Sequence, residues 1–217
     1  MTIIKSYSDI KICLFDFDGT VIDSMGAFAD LAGSIIEREY GTPFNEARAS
    51  YLETSGIPFF QQLEVLFPGR PQNPLLSSEF EERKQESFFS ESFSDDTKQA
   101  MSGLKAGGFL IGISSNNFQH LLDDFVSRDS ISFDYLLGYR DAFAKGREHF
   151  TYIETELNLS PHEILFVGDS IKDAEKAAQH GTQFIGKLGT FTNRQFTDKF
   201  PGIDCVDNLS ELVRILC

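Results

Sequence analysis

The sequence predicts an α/β fold, a Rossmann-like parallel sheet with helices on both faces and an α-helical segment inserted after the first strand. Three observations predict it. Short apolar runs recur along the chain with helical periodicity between them, the alternation that builds a parallel sheet through right-handed crossovers. The run I-C-L-F at 12–15 is apolar throughout, as a strand covered on both faces must be. The stretch from about 25 to 101 breaks the rhythm, with helix-like patterns and no convincing strand.

Taken in order, residues 9–17 read as the first strand. The insertion follows, with F-A-D-L-A-G-S-I-I-E-R-E-Y and S-E-F-E-E-R-K-Q-E-S-F-F as amphipathic helices separated by proline and glycine. The domain division expected is 1–22 with 102–217 for the core and 23–101 for the helical insertion. Further strands are expected at 109–113, 164–167 and 183–185, and helices at 117–127, 148–157 and 173–180. The last of these stops at Gly181, a C-cap glycine. The pairs Phe59-Phe60 and Phe88-Phe89 are expected to pack within the insertion or between it and the core. Arg147 and His149 are expected at an exposed helix start. Cys13, Cys205 and Cys217 lie far apart, with neither metal-ligand spacing nor a disulfide pattern, and Cys13 and Cys205 read as small core residues.

Composition limits the function classes. A chain of 217 residues can bury one substantial core with room for a smaller insertion, and 41% hydrophobic with 13% aromatic residues excludes a disordered protein. The net charge of -14, with no basic run, argues against a nucleic-acid partner. It also means that an anionic substrate must be attracted by local cations, and a metal ion would serve. No stretch of 18 apolar residues exists, and M-T-I-I-K-S-Y-S-D-I-K lacks a signal peptide's apolar region and cleavage site. A cytoplasmic location with no membrane partner is therefore expected, while the pattern leaves the oligomeric state open.

Four polar segments stand at the ends of the apolar runs: Asp16-Phe17-Asp18-Gly19-Thr20, Ser114-Ser115-Asn116, Lys145, and Gly168-Asp169-Ser170-Ile171-Lys172-Asp173. In an open parallel sheet ligands bind outside the carboxyl ends of the strands, so these segments should converge. Aspartates beside glycines ordinarily mark solvated turns and caps. A buried strand that ends in two carboxylates, however, needs something positive between them.

Together the four segments resemble the haloacid dehalogenase-like hydrolase superfamily, whose pattern is D-x-D-G-T, then Ser or Thr, then Lys, then G-D-x-x-x-D. Asp23-Ser24 and the place of the insertion resemble the subclass with a small helical cap, which includes phosphoglycolate phosphatase and β-phosphoglucomutase. The resemblance implies a magnesium-dependent phosphatase acting on a small phosphate ester. Asp16 would attack phosphorus, and Asp18 would protonate the leaving oxygen and then activate water. Mg²⁺ would be held by Asp16, the backbone carbonyl of Asp18, and Asp169, with Asp173 on a metal water or orienting its neighbours. Lys145, Ser115 and the N–H groups around it would hold the phosphoryl oxygens, with Gly19, Thr20 and Asn116 lining the same place. Ser115 aligns with the phosphate position better than Ser114, though a shift by one residue stays open. Lys145 departs from the pattern in being followed by Gly146 rather than proline. Residues 53–59 fall where the subclass places a substrate-selecting loop, which would make Thr54 and Gly56 ligand-binding; a plain helix-to-helix turn explains them too. A sugar phosphomutase shares every core motif, and a non-catalytic binding protein that keeps the fold is the alternative from another class.

Overall fold

In a computed structural model, which describes residues 7–88 and 90–217, the strands are β1 (Ile12–Phe15), β2 (Leu110–Phe118), β3 (Tyr135–Tyr139), β4 (Ile164–Gly168), β5 (Gln183–Lys187) and β6 (Asp204–Val206). They form one parallel sheet in the order β3-β2-β1-β4-β5-β6. The central strands β1 and β4 are buried at every residue, which is why their sequences are continuous apolar runs. Ile12, Leu14, Ile164 and Phe166 pack with Phe150 and Ile153 of α7 (Arg147–Leu157) and Ala174 and Ala177 of α8 (Ile171–His180). Helix α8 ends as expected at Gly181, whose φ of 85° takes the left-handed cap conformation.

Two strands were not foreseen, and both are sheet edges. β6 has three residues, and β3 is half-exposed with a glycine near its end, so neither carries the long apolar run that betrays a buried strand. Gly138 is there for space: a Cβ would lie 2.6 Å from Gln119 Cα. The Gln119 side chain brackets β3, accepting from Gly138 N at 2.8 Å and donating to Leu136 O at 3.1 Å. The second strand also runs on to Phe118, so that α6 (Gln119–Val126) starts at 119 rather than 117. The β2–β3 register shifts between Ser114 and Phe118, a bulge that lifts residues 115–117 out of the regular pleat.

The chain divides into two compact units, 1–22 with 93–217, and 23–92. The second crossing lies at 92/93 rather than 101/102 because α5 (Asp95–Ala106), capped by the Ser94 side chain, packs on β2 and on α10 (Ser210–Leu216). The inserted unit consists of α1 (Met25–Tyr40), α2 (Phe44–Glu53), α3 (Phe59–Leu66) and α4 (Asn73–Phe88). Its centre is aromatic: the Phe59 and Phe80 ring centroids are 4.3 Å apart, and Phe28 and Tyr51 pack on Phe80. Phe59 is buried as expected, but Phe60 is 41% exposed; the side chains of Phe88 and Phe89 lie outside the described residues. Cys13 is buried and Cys205 half-buried against the core, with Cys217 exposed. Among the described residues no helix is long and apolar enough to cross a membrane.

Gly138→Ala is expected to lower stability by about 1–3 kcal/mol, since the clash is with backbone that cannot turn aside. Urea unfolding of the variant beside wild type measures it, and an unchanged midpoint would contradict the tight β3–α6 approach.

Candidate active site

The strand order reverses between β1 and β4, and there the carboxyl ends of both strands meet. This switch point is where an open α/β sheet forms its ligand crevice. Asp16 continues β1, its N–H donating to Val167 O at 2.8 Å, and it is 6% exposed. Phe17 takes the opposite face and packs edge-on against Phe93 and Phe125. That anchors the turn and leaves Asp16 and Asp18 on a common side. Gly19, at φ 75°, donates to Ile22 O and closes the turn; the Thr20 hydroxyl beside it is buried with no hydrogen-bond partner among the described residues.

The fourth segment is fixed by packing and capping. Gly168 admits no side chain, because a Cβ would stand 2.8 Å from Asp173 Cβ. Ser170 and Asp173 form a reciprocal capping box at the start of α8. There Ser170 Oγ donates to Asp173 Oδ2 at 2.6 Å and accepts from Asp173 N at 3.1 Å. Asp169, 2% exposed, accepts on Oδ2 from the Thr190 hydroxyl.

The carboxylates of Asp16, Asp169 and Asp173 gather with oxygens within 4.8 Å of one another, all buried. Lys145 reaches into them, Nζ standing 2.9 Å from Asp16 Oδ1 and 2.8 Å from Asp173 Oδ1. One ammonium does not balance three carboxylates. Burial, with Asp173 and Asp18 adding repulsion, pushes Asp16 up to about 6 despite Lys145. Burial, with repulsion from Asp16 and Asp173, raises Asp169 well above the carboxylate range, against the Thr190 hydrogen bond and Lys145. For Asp173 burial also acts upward, but Lys145, Lys176 and the Ser170 bond outweigh it and hold the group low. Burial would lower Lys145, yet Asp16 and Asp173 raise it and keep it charged. The cluster is thus short of positive charge and rich in oxygen donors, a set suited to a hard divalent cation.

The β2 bulge supplies the remaining groups. Ser115 Oγ accepts from Asn117 N at 3.0 Å, and Asn117 Nδ2 donates to Asp18 Oδ2 at 2.8 Å, so Ser115 and Asp18 share one partner. The half-buried Asp18 carboxylate is therefore held by Asn117, apart from the three-carboxylate cluster. Ser114 is committed elsewhere, its Oγ 2.9 Å from His149 Nδ1. Asn116 is half-buried on the same bulge. Thr54 and Gly56 belong to the inserted unit, in the α2–α3 turn. Thr54 Oγ1 lies 2.7 Å from Ser50 O and 2.8 Å from Gln62 Oε1, and Gly56 sits at φ 90°.

The expectation of an exposed helix start holds for Arg147 and fails for His149, which is fully buried. Its ring packs on Phe143 at 4.4 Å between centroids and supports Ser114 beneath the bulge. The sequence offered only R-E-H-F, in which His149 stands one residue before the core Phe150. Asn117 and Thr190 were missed as well: the former read as a helix start, and the latter lies in a loop that carries no motif.

Burial holds the His149 imidazole down at about 3, Lys145 adding to this and the Gly138 backbone opposing it. The folded chain therefore refuses a proton that the unfolded chain accepts near pH 6.5, so the stability His149 contributes is full above that pH and declines below it. The stability difference between wild type and His149→Gln is expected to shrink by about 2 kcal/mol from pH 7 to pH 5, read from urea midpoints; a constant difference would contradict a neutral buried ring. If the cluster holds a divalent cation, Thr190→Val, which keeps the shape and loses the donor, is expected to weaken its binding by about 10- to 100-fold in Mg²⁺ calorimetry, with Thr190→Ser restoring it.

Comparison with known proteins identifies the family and the fold. A family model described as haloacid dehalogenase-like hydrolase matches residues 13–187. An N-acetylmuramic acid 6-phosphate phosphatase from Pseudomonas aeruginosa is 22% identical over 223 residues, covering 95% of each chain. A haloacid dehalogenase-like family hydrolase from Streptococcus pneumoniae superposes with a TM-score of 0.78 at 16% identity, over 95% of this chain and 98% of that one. A predicted phosphoglycolate phosphatase from Haemophilus somnus gives 0.74 at 18% identity, over 97% and 99%. With the family match spanning both β1 and the Gly168–Asp173 segment, the chain belongs to the haloacid dehalogenase-like hydrolases.

Proposed function

We propose that this hydrolase is a Mg²⁺-dependent phosphatase that cleaves a small phosphorylated metabolite through an aspartyl-phosphate on Asp16. The observation that carries the reading is the buried cluster of Asp16, Asp169 and Asp173 with Lys145 bridging two of its members, while Asp18 is held apart on Asn117. That separation suits a division of labour between a nucleophile and a proton-transfer group.

The donor set fits magnesium, which takes oxygen ligands, needs only a few carboxylates and retains water. Asp16, Asp169 and the Asp18 backbone carbonyl would hold it, with Asp173 on a metal water; once bound, it supplies charge neutralisation for the phosphoryl group. The chain's own residues do the rest. Lys145 orients the Asp16 carboxylate by its bond to Oδ1 and keeps it ionised. An Asp16 oxygen attacks phosphorus as the ester oxygen departs, and Asp18 gives that oxygen a proton. Water, deprotonated by Asp18, then attacks the same phosphorus, and the P–O bond to Asp16 breaks to release phosphate and restore the carboxylate. Lys145, the Ser115 hydroxyl and the N–H groups of the bulge hold the equatorial oxygens, with the buried Thr20 hydroxyl a further donor.

In this reading the inserted unit is a cap that supplies substrate choice, with Thr54 and Gly56 in its selecting turn. The names of the relatives, an N-acetylmuramic acid 6-phosphate phosphatase and a predicted phosphoglycolate phosphatase, set the compounds to try first.

Phosphate release from N-acetylmuramic acid 6-phosphate, other sugar phosphates, phosphoglycolate and p-nitrophenyl phosphate, with Mg²⁺ and with EDTA, tests the proposal. Wild type is expected to turn over at least one of them only with the metal, and Asp16→Asn to lose at least about 10³-fold in kcat. Full activity in Asp16→Asn would overturn the assignment. Isomerised sugar phosphate in place of free phosphate would make the protein a mutase.

A further inference from the structure

The residue after Lys145 makes a bend that neither proline nor, without strain, any L side chain could make: Gly146 sits at φ 115° and ψ -126°. The space over this bend is filled. A Cβ on Gly146 would lie 3.2 Å from Cδ, 3.4 Å from Cγ and 3.6 Å from Cβ of Lys176. The aliphatic stem of Lys176 therefore crosses the backbone next to the residue that bridges Asp16 and Asp173. Lys176 is half-buried on α8, three residues after Asp173 and so on the same face of the helix. Its charge is felt in the cluster, for it helps hold Asp173 low. Burial and the like charge of Lys145 bring Lys176 itself down to about 8, while Asp173 and Asp16 act in the opposite sense.

We propose that Lys176 is a second cation of the site, a positioning residue brought in over Gly146, whose charge loosens the carboxylates' hold on the divalent cation and strengthens the site's hold on the phosphoryl dianion. This rests on the phosphatase reading above. With Asp18 protonated for its role as proton donor, Asp16, Asp169 and Asp173 are offset by Lys145 and one divalent cation, and Lys176 makes the site net positive before an anionic substrate arrives. A dianion then meets no net repulsion at the point of attack.

The two affinities should move in opposite directions when the charge is removed. Lys176→Met keeps the stem over Gly146. It is expected to bind Mg²⁺ at least about threefold more tightly in calorimetry without substrate, and inorganic phosphate at saturating Mg²⁺ about tenfold more weakly. Lys176→Arg should return both toward wild type. A purely structural lysine would lower the melting temperature and leave both affinities alone or weaken both, and either result overturns the proposal. If methionine impairs folding, Lys176→Gln serves the same comparison. Wild type that neither binds Mg²⁺ nor releases phosphate overturns the phosphatase reading and this inference together. An active wild type whose Lys176→Met affinities stay within twofold overturns the inference alone.

Discussion

The Lys145 ammonium, buried between Asp16 and Asp173 at ion-pair distance from both, is the interaction on which the rest of the site depends. Ions taken out of water cost several kcal/mol each unless geometry and hydrogen bonds compensate. Here the compensation is incomplete by construction, since one ammonium faces three gathered carboxylates. Removing the lysine would leave those carboxylates buried together without the ammonium that touches two of them. Keeping it leaves a deficit of positive charge, the condition under which a divalent cation would bind.

The sheet makes this arrangement affordable. At the switch point the carboxyl ends of β1 and β4 are held in register by Ile12↔Ile164 through Phe15↔Val167, so Asp16 and Asp169 each stand one residue past the end of neighbouring, rigidly paired strands. The glycine at 168 lets the start of α8 approach until Asp173 joins them. Thr190 then holds one oxygen of Asp169, and the capping box holds Asp173. On the other side the β2 bulge turns a regular strand into a small platform, on which Asn117, its N–H held by Ser115, reaches Asp18 while Ser114 is tied to His149 in the core. A polar pair buried beneath the bulge fixes its register, because slipping by one residue would leave an imidazole and a hydroxyl unpaired.

Much of this was legible in the sequence, for identifiable reasons. β1 and β4 are buried on both faces, and only apolar runs serve there; the aspartates and glycines after them stand out against that background. The edge strands β3 and β6 could not be read so easily, since a half-exposed strand carries a mixed sequence, and a glycine required by the approach of Gln119 breaks the run. The helix expected at 117 begins two residues later because the bulge, set by tertiary pairing with β3, overrides the local helical pattern. Thr190 and His149 act through distances across the fold, and nothing in their neighbours along the chain marks them; Asn117 and Lys176 stand beside the second and fourth segments, but what they reach is set by the fold.

The central claim is that Asp16 carries the phosphoryl group during turnover, and chemical trapping addresses it most directly. Wild type quenched with acid during steady-state hydrolysis, then reduced with borohydride and digested, should contain homoserine in place of aspartate at residue 16, detected by mass spectrometry of the peptide. The signal should vanish without substrate. Reduction at another carboxylate, or no reduced peptide from enzyme shown to be turning over, would contradict the account.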